Sequence, residues 1–367
     1  MVKLLKVKLF ISLLLLLLGT SFLNADTQTR FENSNFTLSD TQEHYNYNRS
    51  RLRVDYQQEN YFATLIGDVL NYYGIDSPLI AVADTPLAIK SRQKEYENGS
   101  LYAKVHRLYG GYEDEDNRIV LGLQNITMGV GRLWNPTNIF NPRYTYALEP
   151  DETLPVLALS YTRHLSSTSD ISLIASQKND LTYKYALRYK SFTEYGDIAF
   201  NTILSEQTTM LGYELESNLA DTGIEVRSEG AYVNAKIKQI SSSEERELYQ
   251  AILGADYGFV NGLNLTLEAL YSSNAFNQRE ILLNSDSEIF SNLSDSQLYV
   301  GGVLSYPLNI FLNLSVSYIE SFITHKSHFV SPNVTYTLND FNSFSLGALI
   351  QDGDAKNILY FNYTLSF

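Results

Sequence analysis

The chain has 367 residues, with 27 Lys plus Arg against 41 Asp plus Glu, 28 Tyr, 18 Phe and no Cys. Without cysteine this chain can form neither disulfides nor thiolate metal sites, and a formal charge of −14 leaves no basic footprint for nucleic acid. Mean hydropathy is −0.17, and past the first apolar run no stretch approaches the ~20 residues of a membrane helix, which excludes an inner-membrane helix bundle and leaves a soluble β-protein or a β-barrel.

The first 25 residues read as a secretory signal. Lys3, Lys6 and Lys8 form a basic n-region, Leu9 to Leu18 an apolar run, and Ala25 a plausible cleavage point. Removing those three lysines and no acid leaves 24 bases against 41 acids, a balance of −17. Residues 26–46 are polar and read as a periplasmic lead or an extra first strand.

From residue 47 to 367 the sequence alternates apolar and polar residues in segment after segment, the period of a strand with two unlike faces. Leu52, Val54 and Tyr56 oppose Arg51, Arg53 and Asp55. Tyr183, Tyr185, Leu187 and Tyr189 oppose Lys184, Ala186, Arg188 and Lys190. Leu211, Tyr213 and Leu215 oppose Gly212, Glu214 and Glu216, and Leu263, Leu265 and Leu267 oppose Asn264, Thr266 and Glu268. Many segments run about 9–12 residues, the length of a tilted strand that crosses a bilayer. Full charges of both signs on the second face are too costly for a dry core but suit a wet lumen. The pattern predicts an all-β chain forming a single transmembrane antiparallel barrel of about 16 strands, with 14 or 18 as the alternatives.

The predicted inward residues are the candidates for lining the pore: Arg51, Arg53, Lys104, Lys184, Arg188, Lys190, Glu214, Glu216 and Glu268. Such residues set the field of a lumen, or pair across strands and neutralise one another. Mixed signs leave ion preference open.

The alternation stops at residues 131–142, GRLWNPTNIFNP, which hold the only Trp. Asn-Pro steps start turns and push the preceding residue toward an extended form. A Trp and a Phe on a short polar loop need cover, so the loop is expected to fold back into the barrel, where irregular backbone is tolerated. The candidates for a constriction are Arg132, Trp134, Asn135, Pro136, Asn138, Phe140 and Pro142. The stretch 128–161 resembles a segment of a group of Gram-negative outer-membrane porin-like barrels of unassigned function, in which a Gly-rich turn precedes WNPTD-x-F-x-P and an acidic E-x-D-E segment. Gly129, Gly131, Arg132, Trp134, Asn135, Pro136, Thr137, Phe140, Pro142, Glu149, Asp151 and Glu152 match, while Asn138 stands where Asp is usual. The resemblance implies a porin-like barrel and carries no chemistry of its own.

Catalytic and metal signals are weak. His164 lies near Ser166 and Ser167, which read as a turn, and no Gly-x-Ser-x-Gly elbow occurs. His325 and His328 are three apart, which on a strand directs them to opposite faces. No enzyme activity, cofactor or metal is implied. The chain closes on NILYFNYTLSF, with Phe361, Tyr363, Leu365 and Phe367 on one face. A strand ending on a terminal aromatic resembles the C-terminal insertion signal of bacterial outer-membrane barrels. The expected partners are therefore outer-membrane lipid and lipopolysaccharide and the barrel-assembly machinery, with no nucleic acid. A homo-oligomer fits a porin, though no interface is visible in the sequence. The expected function is passive diffusion of small hydrophilic solutes across the outer membrane, the alternatives being a non-conducting surface barrel for adhesion or structure, or a barrel enzyme.

Overall fold

The computed structural model describes residues 26–40, 43–74, 92–141, 153–178, 180–352 and 357–367. The leader region 1–25, Pro142 and the acidic residues Glu149, Asp151 and Glu152 lie outside the described residues.

Among the described residues, nineteen strands form one antiparallel sheet. They are β1 (Asp26–Ser39), β2 (His44–Gln58), β3 (Tyr61–Tyr73), β4 (Arg92–Tyr96), β5 (Gly99–Glu113), β6 (Asn117–Gln124), β7 (Val156–Ser166), β8 (Ser169–Gln177), β9 (Tyr183–Thr193) and β10 (Gly196–Ser205). β11 (Thr208–Asn218), β12 (Ile224–Lys238), β13 (Ser243–Gly258), β14 (Asn264–Ser272), β15 (Leu298–Pro307), β16 (Leu312–Ser321), β17 (Ser327–Asn339), β18 (Asn342–Gln351) and β19 (Ile358–Ser366) complete the set. Consecutive strands pair, β3 pairs with β5, and β1 pairs with both β2 and β19, so the sheet closes on itself. The closed ring has 18 strands, not 16.

Two features hid the extra strands. The ring begins at Asp26, upstream of residue 47 where the alternation first becomes visible, because the outward side of β1 is mostly Asn and Thr rather than apolar. Segments 110–117 and 239–246 look polar enough to be loops. In the structure only the tight turns at 114–116 and 239–242 are irregular, and the rest of each segment is strand. At the first of these, Asp114 accepts from the backbone N–H groups of Asp116 (2.9 Å) and Asn117 (2.7 Å). Those bonds hold its carboxyl below the usual carboxylate range, Asp116 contributing most.

β4 lies outside the ring. β6 covers only Leu108–Glu113 of its neighbour, and β4 pairs with Gly99–Ala103 farther along the same edge of β5. Closure is made by the β1–β19 ladder, from Ser39 opposite Leu359 to Glu32 opposite Ser366, and Phe367 extends it by one more pair. Phe31 N–H donates to the Phe367 carbonyl (2.6 Å), Phe367 N–H donates back (2.9 Å), and the two rings lie 5.4 Å apart. A barrel has no unpaired edge left to expose.

Strand alternation places short turns at the end that holds Asp26 and Phe367 and the long connections, 74–98, 125–155 and 273–297, at the other. The outer surface is apolar: Phe200, Leu211, Leu253 and Leu267 are exposed there. Aromatic pairs flank this band near the strand ends, Tyr61 with Tyr112 at one end and Tyr183 with Tyr185 at the other. Phe361, Tyr363 and Leu365 lie on the outward face of β19, and Phe367, just past its end, packs against Phe31 on the same side.

The interior differs from a uniformly wet lumen. Inward residues of β7–β13, among them Ala158, Ile174, Ile203, Met210, Val233 and Ile237, are apolar and buried. They are covered by Ile126, Met128, Ile139 and Phe140 from the first inner loop and by Phe276, Ile289 and Leu293 from 273–297. That second loop carries α1 (Gln278–Leu283), started by a reciprocal capping box between Asn277 and Glu280.

Candidate functional site: an inner loop on a charged wall

β6 stops at Gln124, and residues 125–141 run over the inner face of β9–β15 before the chain reaches β7 at Val156. The run is irregular, so its backbone N–H groups need acceptors other than a strand partner. Two inward wall carboxylates provide them. Glu229 on β12 accepts from the N–H groups of Val130 (2.8 Å), Gly131 (3.1 Å) and Thr137 (2.7 Å) and from the Thr137 hydroxyl (2.7 Å). Glu268 on β14 accepts from the N–H groups of Arg132 (2.8 Å), Leu133 (3.0 Å) and Trp134 (2.8 Å). Both carboxylates are buried, and charge-assisted bonds of this kind are about twice as strong as neutral ones.

The backbone must come very close to do this. Gly129 has φ +90°, and a Cβ there would sit 2.5 Å from a Glu229 carboxylate oxygen; glycine alone meets both demands at low cost. On the wall, a Cβ at Gly301 of β15 would lie 2.6 Å from Leu133 Cδ1 and 3.0 Å from Trp134 Cη2.

Side chains then fix the loop internally and to its surroundings. Asn141, fully buried, accepts from the Ile126 N–H and donates to the Leu154 carbonyl, tying both ends of the excursion together. Asn138 Nδ2 donates to the Asn141 carbonyl (2.7 Å), and Asn138 Oδ1 accepts from the Asn141 N–H (3.3 Å). An Asp could do only the second, so the residue found here suits its neighbours without a cation. Asn135 Nδ2 donates to the Gly131 carbonyl (2.9 Å). Asn292, from the second long loop, donates to the Pro136 carbonyl (2.9 Å) and to Gln250 on β13 (2.8 Å). Phe140 is buried, with Lys184 Nζ 5.0 Å from its ring centre and 3.0 Å from the Ile139 carbonyl. Trp134 packs beside Tyr299, ring centres 6.0 Å apart. Trp134 is therefore an inner-wall contact and not part of the outer aromatic band.

Arg132 extends from this loop toward three wall acids: Glu216 (3.0 Å), Glu225 (2.7 Å) and Asp256 (3.4 Å). Arg227, buried behind it, pairs with Asp256 and with Glu268 (3.2 Å). Half a ring away, nine strands in either direction, β2 presents Arg49, Arg51 and Arg53 inward. Arg51 pairs with Asp68 (2.7 Å), Arg49 with Glu32 (2.6 Å) and Arg53 with Asp55 (2.5 Å). Lys104 on β5 stands in register with Asp68. Arg188 pairs with Glu214, and Lys190 lies 3.8 Å from Asp197.

All nine pore-lining candidates thus lie on inward faces, and most stand in ion pairs. Glu268 is not a bare lumen charge, because its oxygens are taken up by the loop and Arg227. Lys184 is likewise buried beneath Phe140. Sequence reasoning missed Glu225, Arg227, Glu229, Asp256, Asn141 and Asn292. A signal existed for β12: its inward positions from Ala231 to Ile237 are apolar while Asn234 and Lys236 face outward, an inversion that indicates a covered inner wall.

The loop has one direct test. Gly301→Val should lift Leu133 and Trp134 from β15. Since Trp134 is the only tryptophan, the expected result is a red shift of intrinsic fluorescence, and unchanged emission would show that the ring is held elsewhere.

No family model matches the chain, and no curated protein matches it in sequence. Solved structures do match it. OccD3 (OpdP) of Pseudomonas aeruginosa superposes with a TM-score of 0.60 at 11% identity, over 93% of this chain and 91% of that one. OccAB1 of Acinetobacter baumannii gives 0.58 at 9% identity, over 94% and 96%. A BenF-like porin from Pseudomonas fluorescens Pf-5 gives 0.57 at 10% identity, over 94% and 98%. Identity this low speaks to architecture and not to solute: the chain has the fold of these porins, a single closed antiparallel β-barrel.

Proposed function

We propose that the chain is an outer-membrane channel of porin type, passing small hydrophilic solutes by passive diffusion. The observation that carries this reading is the inner loop 125–141, fastened to wall carboxylates inside a barrel whose outside is apolar. A barrel serving only as a surface scaffold has no need of ionised inner arcs around an inward loop. The charged arcs on β2 and on β11–β14 bound the aqueous path, and Arg132, Trp134, Asn135, Pro136, Asn138 and Phe140 narrow it. The resemblance of 128–161 to the WNPTD-type segment of porin-like barrels agrees with that role. So does the fold shared with OccD3 and the BenF-like porin. In this reading the outward stripe Phe361, Tyr363, Leu365 and Phe367 engages the assembly machinery and then lipid. The residues before Asp26 act as the export signal.

The decisive measurement is conductance in a planar bilayer, with liposome swelling by small sugars as a second readout. The expected result is stepwise current from the full chain and larger steps after deletion of 133–142. Equal steps would remove the constriction. A correctly folded barrel, shown by heat-modifiable gel migration, that passes no current would instead be the non-conducting surface barrel.

A further inference from the structure

One stretch of the inner wall carries a row of aromatic rings. β19, β1, β2, β3 and β5 are consecutive around the barrel. They present Tyr360, Phe36, Tyr47, Tyr72 and Tyr102 on the inward side, the side that also bears Arg49, Arg51, Asp68 and Lys104. Neighbouring rings are in contact, with centres 6.4 Å apart for Tyr360 and Phe36, 5.8 Å for Phe36 and Tyr47, 5.1 Å for Tyr47 and Tyr72, and 5.9 Å for Tyr72 and Tyr102. Phe36 and Tyr102 are buried, while Tyr360, Tyr47 and Tyr72 are half-buried. Because they point inward, the area they keep accessible faces the lumen. The row is not a continuation of the packing under the inner loops: of the five rings, only Tyr360 packs against either buried apolar cluster.

Toward the short-turn end the same strands change character. Past Tyr47 stand Arg49, paired with Glu32 of β1 (2.6 Å), and Arg51, which donates to both oxygens of Asp68 (2.7 and 2.9 Å). Past Tyr360 and Phe36 stand Asn362 and Ser34, bonded to each other at 3.2 Å. The inner side of β16–β19 carries no charged residue, and Ser315, Ser317, Asn333 and Ser345 line it. Each of the two guanidinium groups therefore already has a carboxylate. An arriving anion must compete with Glu32 or Asp68 for it. An uncharged hydroxyl need not, since a guanidinium has five N–H donors and a carboxylate about four acceptor positions.

We propose that this row, with the polar groups beside it, is a binding surface for the ring of a neutral saccharide passing through the barrel. The inference rests on the channel reading above. A pyranose has a face of C–H groups and a rim of hydroxyls. The C–H face gains dispersion contact and apolar burial against an aromatic ring. The hydroxyls donate and accept, as do the paired charges, amides and hydroxyls next to the row. A linear polyol has the same hydroxyls and no fixed face to lay on a ring. A flat aromatic solute would stack but leave the neighbouring donors and acceptors unused. Such contacts are weak one by one, and passage requires binding that favours entry yet lets the solute leave. Adjoining rings let it move from one to the next.

Glucose and sorbitol are nearly equal in mass and differ in having or lacking the ring, so their ratio isolates the contact. Liposomes carrying the full chain should swell at least about threefold faster in glucose than in sorbitol, the size of one modest aromatic contact. The double variant Tyr47→Leu, Tyr72→Leu should bring that ratio close to one while keeping heat-modifiable migration. Tyr336→Leu, on the outer surface of β17, should leave the ratio as it is. Equal rates for the two solutes in the wild-type barrel would overturn the proposal, as would an undiminished ratio in the folded double variant. If the double variant does not insert, the wild-type ratio decides alone. Swelling at equal rates would keep the channel reading and remove this one, whereas a folded barrel that swells in neither solute would remove both.

Discussion

Replacing Glu229 and Glu268 together with Ala should release the inner loop and raise single-channel conductance toward that of the 133–142 deletion. The two carboxylates accept from six backbone N–H groups of residues 130–137, and no regular secondary structure offers those donors another acceptor. Leaving one buried donor unmatched costs about 1–3 kcal/mol, so the loop cannot stay in place with all six unmet and moves to water. Glu268 also pairs with the buried Arg227, and removing one partner of a buried pair costs about 3–5 kcal/mol. Arg227 keeps Asp256, which places the loss toward the lower end. The double Gln variant should fall between, since each amide keeps one acceptor oxygen but turns an NH2 group toward N–H donors. Conductance and the temperature of the heat-modifiable transition are the readouts. Wild-type conductance in the Ala variant would mean that the Phe140–Lys184 contact and the Asn292 bond to Pro136 suffice to hold the loop.

Arg132→Glu should shift ion preference toward cations with little change in stability. In the native chain one guanidinium faces Glu216, Glu225 and Asp256. The reversal makes that group four acids with no facing base from the loop. Arg132 is half exposed, 46% by side chain, so its removal costs no more than about 1 kcal/mol. The formal charge of the group goes from −2 (one base, three acids) to −4 (four acids), and the reversal potential across a KCl gradient should move accordingly. Screening lengths are about 10 Å at 0.1 M and about 3 Å at 1 M salt, so the shift should be larger in dilute KCl. An unchanged reversal potential at low salt would show that ions pass along the β2 arc and not past Arg132.

Much of this architecture was legible in the linear pattern. Alternation assigned Arg51, Arg53, Arg188, Glu214 and Glu216 to one face and Leu52, Leu187, Leu211 and Leu215 to the other. The structure puts the first set inside and the second outside, because side-chain direction follows from strand geometry alone. The break at residues 131–142 marked a segment with no strand partner, and an aromatic pair on it required cover. The strand number was less legible. It depended on β1, whose outward Asn and Thr residues conceal the period, and on polar stretches that prove to be partly strand, broken only by the turns at 114–116 and 239–242.

What the sequence determined by itself is local: which residues can form strands, which side of each strand each residue occupies, and where the pattern must yield to a loop. Tertiary structure alone decided which groups meet. Glu229 and Val130 are 99 residues apart, and Glu268 and Leu133 are 135 apart. Nothing in either neighbourhood signals the other, because a carboxylate on a strand has the same local pattern whether it faces water or a loop backbone. Closure of the ring sets these partners by its strand count and register, and only closure brings an irregular loop within hydrogen-bond reach of a wall that can satisfy it.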